Sequence, residues 1–283
     1  MFESRLQAFT ELHTKIAESN IATQVSAPLV FINIWDAASA AVVQASGAKA
    51  LVTSSASLAW SLGYPDGEAL PLQELLDAVA RIMRVSELPL SVDIEAGYSD
   101  NPSEVASLVA KLVNLGVVGI NLEDGAQEPE LLVAKIEAIR ATESCRALFI
   151  NARTDVYLRA LASDRAAVEM TKRRLLSYQN AGANCGFIPG LSCEQVASEL
   201  ANEIQMPLNL MVDASLSTVD TLFKSGITRF SVGPASFLNA YSALLNSQTS
   251  SMAESEFNSG LNSKADIELS PLDYNRVNEL LVL

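Results

Sequence analysis

Eight short apolar segments recur along this chain, each followed by polar residues and then by a stretch of helical periodicity. They are "LVFINIWD" (29–36), "KALVTSSA" (49–56), "LPLSVDIEAG" (88–97), "VVGINLEDG" (117–125), "LFINARTD" (148–155), "CGFIPG" (185–190), "PLNLMVDA" (207–214) and "TRFSVGP" (228–234). Strands that alternate with helices pair in parallel, because each crossover helix returns the chain to the same end of the sheet. Eight such units without a break in composition predict an α/β fold, a closed (β/α)8 TIM-type barrel. The alternative is an open doubly wound sheet, yet no strand is followed by a G-x-G-x-x-G loop.

The segments between strands carry helix punctuation. "NPSEVASLVAKLVNLG" places Asn101 as N-cap, Pro102 at the first helical position, Glu104 at capping-box spacing and Gly116 as the stop. "QASGAKA", "NAGANCG" and "KSGITRF" end in the same way, and Ser192 with Gln195 repeats the capping-box spacing. The expected organisation is a catalytic barrel with its N-terminal helix over 1–245, a Ser/Asn/Glu-rich linker over 246–266, and a Leu-rich C-terminal helix over 267–283. That last helix can pack on its own barrel or be swapped onto a neighbour's.

Apolar residues make up 49% of the 283, enough for a large core, and a formal charge of −14 disfavours nucleic acid or an anionic membrane as partner. No apolar run reaches the roughly 18 residues a membrane span needs. The N-terminus carries charge throughout and lacks a signal-peptide core. Three cysteines at uninformative spacing suggest neither disulfides nor zinc, so a cytoplasmic location is expected.

Barrel chemistry sits at the C-terminal ends of the strands. Those positions hold Asp36, Ser54, Ser55, Ser57, Asp93, Glu95, Glu123, Asp124, Asn151, Arg153, Asp155, Asn209, Asp213 and Ser231, an acidic rim with Arg153 as its obvious cation. Acids so concentrated repel one another, and an oxygen-only donor set calls for a hard divalent ion, Mg2+ rather than zinc. Asp93 and Glu95, two apart, should share a face of their strand, with Glu123 beside them on the next. Asp36 reads equally as a helix N-cap, and Arg153 equally as a partner for Asp155.

"NIWDAASA", "TSSASLAWSLGYPDGE", "SVDIEAGY", "GINLEDG", "NARTDVYL", "YQNAGAN" and "GITRFSVGP" together, in this order, resemble the isocitrate lyase/phosphoenolpyruvate mutase superfamily, most of all its phosphonomutase-like, or carboxyphosphonate mutase-like, branch. The resemblance implies a Mg2+-dependent barrel, with Mn2+ as a substitute, that makes or breaks a C–C or P–C bond next to a carbonyl. It implies Asp93, Glu95 and Glu123 as metal-centred acids, and Asp66 of "YPDGE" as an acid reaching the metal through water. Ser54, Ser55 and Ala56 match the segment that binds the keto-acid carboxylate and oxygen. Arg153 matches the arginine facing the substrate carboxylate or leaving group, while Trp35 and Asn209 are further substrate-facing positions. Asp66, Glu123 and Arg153 are the catalytic candidates.

The chain departs from the lyases after its fourth strand. Isocitrate and methylisocitrate lyases carry a Lys-Lys-Cys-Gly-His loop there; this chain has "NLEDGAQEPELLVAKIEAIR", without Cys or His. Isocitrate lyase activity is therefore not expected, and the intact acid cluster with Arg153 points to a lyase or decarboxylase acting on a small 2-oxo or 2-hydroxy acid through an enolate-like intermediate. The alternatives are a P–C bond enzyme, of phosphoenolpyruvate mutase or phosphonopyruvate hydrolase type, and a non-catalytic keto-acid-binding barrel. The resemblance also implies a homodimer or homotetramer.

Overall fold

The computed structural model describes residues 2–19, 27–212, 218–246 and 272–281. Its strands are β1 (Leu29–Phe31), β2 (Asn33–Ile34), β3 (Leu51–Thr53), β4 (Leu90–Asp93), β5 (Gly119–Glu123), β6 (Phe149–Arg153), β7 (Cys185–Phe187), β8 (Leu208–Met211) and β9 (Arg229–Ser231). All pair in parallel in the order β1-β9-β8-β7-β6-β5-β4-β3-β2. Only Ile32 separates β1 from β2, so these are two halves of one barrel strand. One half binds β9 and the other β3, which closes an eight-stranded (β/α)8 barrel.

The helices are α1 (Phe2–Ser19), α2 (Ala37–Ala45), α3 (Ser55–Ser61), α4 (Leu72–Val85), α5 (Pro102–Asn114), α6 (Pro129–Ala141), α7 (Asp164–Ala181), α8 (Glu194–Glu203), α9 (Val219–Lys224), α10 over 235–246, and α11 (Tyr274–Leu280). The barrel helices bury one stripe each: α4, for example, sinks Leu75, Ala78, Val79 and Ile82 at i, i+3, i+4 and i+7. Those stripes meet the outward residues of the strands, such as Val92, Ile120, Leu122 and Ile150, in the main core.

A second apolar cluster lies where the strands begin. Phe9 of α1 packs there with Phe31, Val52, Val118, Phe149 and Cys185, so α1 plugs the base of the barrel. His13 sits in the same plug, its ring 4.2 Å from that of Phe149. Its Nδ1 donates to the Phe9 carbonyl at 2.8 Å, and Nε2 faces Nη1 of the buried Arg229. Burial, and then the Arg229 charge, push the His13 pKa down to about 3.

Local punctuation matches the sequence at most points. Asn101 caps α5 with Pro102 at its start, and Gly116 and Gly182 adopt the left-handed φ of +95° and +115° that ends α5 and α7. Two expectations are corrected. Glu104 accepts from Ser99 Oγ instead of closing a capping box, because the Asn101 side chain caps Ser103 N alone. Helix α8 starts after Cys193, not Ser192, and Cys193 Sγ donates to Gln195 Oε1, so no capping box forms there either. The linker expected at 246–266 lies outside the described residues apart from Asn246, as does the rim residue Asp213.

Candidate active site

Strands β4 and β5 deliver the acids. Asp93 is the last residue of β4; its N–H donates to Thr53 Oγ1 at 2.8 Å, and its carboxylate accepts from Glu95 N at 3.0 Å and Asn121 Nδ2 at 3.2 Å. Asn121 in turn accepts from Asn151 Nδ2 at 2.9 Å, so an amide chain across β4, β5 and β6 fixes the carboxylate from below.

Glu95 corrects the simple alternation argument. The strand stops at Asp93, and Glu95 stands in the turn beyond it with φ +52°, a backbone state that costs a non-glycine residue about 1–2 kcal/mol. The two acids stay together because Asp93 accepts the Glu95 N–H, and Glu123 N donates to the Glu95 carbonyl at 2.9 Å, which sets Glu123 alongside. Glu68 N donates to Glu95 Oε2 at 2.7 Å and Tyr98 N to Glu68 Oε1 at 2.6 Å, tying the 62–70 loop to this turn. Asp66, in the same loop, has one buried carboxylate oxygen, Oδ1, with no hydrogen-bond partner.

The electrostatics follow from crowding. Burial, then repulsion from Asp66 and Asp93, pushes Glu95 up to about 8. Burial also pushes Glu123 up to about 8, against the opposing pull of Arg153, and burial raises Asp93. Burial alone would lower the pKa of Arg153; Glu123 and Asp155 outweigh it and hold it above the ordinary arginine value. Glu123, Asp155 and Asp93 thus act on one guanidinium, with Glu95 and Asp66 crowded beside Asp93, a donor set made only of hard oxygens. Among the described residues no three His, Cys, Asp or Glu side chains close on a common point. The arrangement fits Mg2+ that keeps most of its waters and takes one or two carboxylates directly; the orphaned Asp66 Oδ1 is suited to receive one of those waters.

Arg153, at the end of β6, is held on two sides. Nη1 lies 2.7 Å from Glu123 Oε2, while Nε and Nη2 donate to the two oxygens of Asp155 at 2.6 and 3.0 Å. Asp155 is fully buried; its N–H donates to Asp124 Oδ1 at 2.9 Å, and Arg159 donates to its Oδ2. Asp124 Oδ2 accepts from Arg174 Nη1 at 2.7 Å and from Tyr178 Oη at 2.6 Å, both on α7. The expected Arg153–Asp155 pair is therefore present, and Arg153 faces the acid cluster as well.

At the end of β3, Ser54 caps α3, its Oγ accepting from Ser57 N at 3.3 Å and from Ser57 Oγ at 3.0 Å. Ser55 is half-buried, and Ala56 is buried with Trp60 and Phe237. Trp35 is half-buried, its ring 5.2 Å from Phe237. Asp36 is the N-cap of α2 in a full capping box with Ser39. Asn209 lies wholly inside the barrel; Nδ2 points to Ser231 Oγ at 3.4 Å and Oδ1 has no partner.

A sequence profile described as phosphoenolpyruvate phosphomutase matches residues 21–252. The chain belongs to that family. Members of its superfamily are carbon–carbon lyases and mutases. An uncharacterised protein of Mycobacterium tuberculosis H37Rv is 35% identical over 73% of this chain and 78% of its own length. Oxaloacetate decarboxylase 2 of Pseudomonas fluorescens Pf0-1 is 31% identical over 64% of this chain and 65% of its own length. A phosphonomutase-like protein of Burkholderia cenocepacia J2315 superposes with a TM-score of 0.80 at 31% identity, covering 89% of this chain and all of that one.

Within this family frame, residues 124–128 are all that separate β5 from α6. The segment turns tightly, with Gln127 N donating to the Asp124 carbonyl at 2.9 Å and Gln127 Nε2 to Asp100 at 3.1 Å. Sequence reasoning placed Asp124 and Asp155 on the rim but missed their partners on α7. A signal was available: Arg174 and Tyr178 stand four apart on the stripe that buries Thr171 and Leu175.

Proposed function

We propose that this chain is a Mg2+-dependent decarboxylase-type lyase that cleaves a C–C bond next to the carbonyl of a small 2-oxo acid, with oxaloacetate as the first substrate to test. The observation that carries this reading is Arg153, pinned by Glu123 and Asp155 beside the crowded acids Asp93 and Glu95. Mg2+, when bound, supplies positive charge that polarises the 2-oxo group.

The chain's own residues do the rest. Asp155 takes Nε and Nη2 of Arg153 and Glu123 faces Nη1, so the guanidinium is fixed, and its remaining N–H groups are those a substrate carboxylate would meet. The N-terminal turn of α3, with Ser54 and Ser55, offers N–H and hydroxyl donors near the end of β3 for the remaining carboxylate or keto oxygen. Asp93 is kept in place by Thr53 at its backbone N–H and by Asn121 at its carboxylate, which holds it oriented before substrate arrives.

The short segment after Glu123 favours decarboxylation over aldol-type cleavage. Cleaving a 2-hydroxy acid requires a base to take the hydroxyl proton; residues 124–128 hold no Cys or His, and of their two acids Asp124 is committed to Arg174 and Tyr178, which leaves Glu128. Decarboxylation requires no such base. The C–C pair stays with the enolate as CO2 leaves, and a proton from water then completes pyruvate. The similarity to a named oxaloacetate decarboxylase supports the same choice.

The test is pyruvate formation from oxaloacetate, with and without Mg2+, in the wild type and in Asp93→Ala. Turnover that requires both Mg2+ and Asp93 is expected; failure of the wild type to exceed the spontaneous rate overturns the reading. The phosphonomutase-like structural relative favours a second reading, P–C bond chemistry. Phosphorus NMR of phosphonopyruvate incubated with the protein separates the two.

A further inference from the structure

Helix α11 has seven residues, too short to be helical in isolation. It is helical because it is docked. Asp273 caps it through Arg276 N at 2.8 Å, and Val277 enters a small apolar cluster with Trp60, Phe237 and Ala56. Of three hydrogen bonds that join it to the barrel, two converge on one residue of the acid site. Tyr274 Oη donates to Asp66 Oδ2 at 2.6 Å, and Asn278 Oδ1 accepts both Asp66 N at 2.9 Å and Trp60 Nε1 at 2.8 Å. Asp66 is therefore gripped at its backbone and at one carboxylate oxygen, which leaves Oδ1 as its unpartnered one. The Asp66 charge is the foremost one acting on Glu95 and the least of the influences on Asp93 and Glu123.

We infer that α11 is part of the active site: Tyr274 and Asn278 are positioning residues that fix Asp66 against the acid cluster, and the site is complete only when the C-terminal helix is docked. The inference rests on the proposed metal-dependent reading for its purpose, and on the contacts alone for its geometry. Sequence offers little hint of it, since Asp66 and Asn278 are 212 residues apart. The docking face is small, with Val277 as its buried anchor, so undocking is a local event separate from unfolding of the barrel.

Two measurements on the full chain decide it. In hydrogen exchange read by mass spectrometry, Asn278→Ala and Val277→Asp should speed exchange over residues 62–70 by about tenfold or more. Strands β5 and β6 should stay protected. Arg276→Ala, which alters an exposed pair with Glu279, should match the wild type. In a Mn2+ titration read by electron paramagnetic resonance, Tyr274→Phe should weaken binding about fivefold or more while the metal-free melting temperature stays within about 2 °C. Unchanged exchange at 62–70 in Asn278→Ala and Val277→Asp overturns the clamp. Unchanged or tighter Mn2+ binding in Tyr274→Phe overturns its service to the acid site. A wild type that binds no Mn2+ refutes the metal-dependent reading, and with it that service, while the exchange result still decides the clamp.

Discussion

Replacing Asp124 by asparagine tests whether the support behind Arg153 is an ion pair or only a well-packed polar cluster. The side chain is fully buried, and one of its oxygens takes both the Arg174 guanidinium and the Tyr178 hydroxyl. Asparagine preserves the shape but must turn its NH2 either toward the Arg174 and Tyr178 donors or toward the Asp155 N–H, and in both orientations the buried Arg174 charge loses its counter-ion. The next acid acting on Arg174 is Glu128, the weakest of the influences on it. Removing one partner of a buried pair costs about 3–5 kcal/mol, because the survivor keeps its desolvation penalty. For a chain of this size that lowers the melting temperature by about 6–10 °C.

Chemical denaturation of Asp124→Asn, Arg174→Met and the double variant forms a cycle. The double variant, which buries no orphaned charge, should be more stable than the sum of the singles by about 2–3 kcal/mol. A loss below about 1 kcal/mol in Asp124→Asn, or strict additivity in the cycle, would refute the reasoning.

Three further outcomes are expected. His13 has a folded pKa of about 3 against an unfolded value near 6.5, so the unfolded state binds the proton first. Its contribution is complete above pH 6.5 and is lost as pH falls toward 3; wild type should lose up to about 1.4 kcal/mol more per pH unit than His13→Gln across that window, measured by urea unfolding. At Gly182, φ is +115° and an added Cβ would meet Arg140 Cγ at 3.1 Å, so Gly182→Ala should cost about 1–2 kcal/mol by thermal denaturation. Mg2+ at a hundred times its Kd should stabilise the wild type by about 2.7 kcal/mol, reversibly with a chelator, and Asp93→Ala should show no such gain.

The fold was legible because its signals are local and repeated. Each strand segment carries its own apolar run, and helix stops such as Gly116 and Gly182 each serve one helix with a backbone state only glycine adopts cheaply. The acids were legible because strand ends in a barrel have a known destination. The Glu95 turn was not, since the period-two pattern continues one residue past the point where hydrogen bonding to Asn121 ends and φ changes sign. The capping boxes at Glu104 and Gln195 failed for a similar reason, as the spacing matched but another partner, Ser99 or Cys193, took the side chain. What spacing could not show were contacts between distant elements: Asp124 with α7, Asp66 with α11, and Lys135, whose buried ammonium donates to the Ala96 carbonyl behind the acid turn. Such pairings depend on how helices dock, which no sequence window contains.

The brevity of the 124–128 segment bears on stereochemistry. On the decarboxylase reading, residues 124–128 bring no Cys or His above the enolate, and where solvent alone delivers the proton it arrives at either face. A substrate carrying a methyl group at C3 would then give product labelled without facial preference in heavy water. The missing loop would be recorded as a racemic centre.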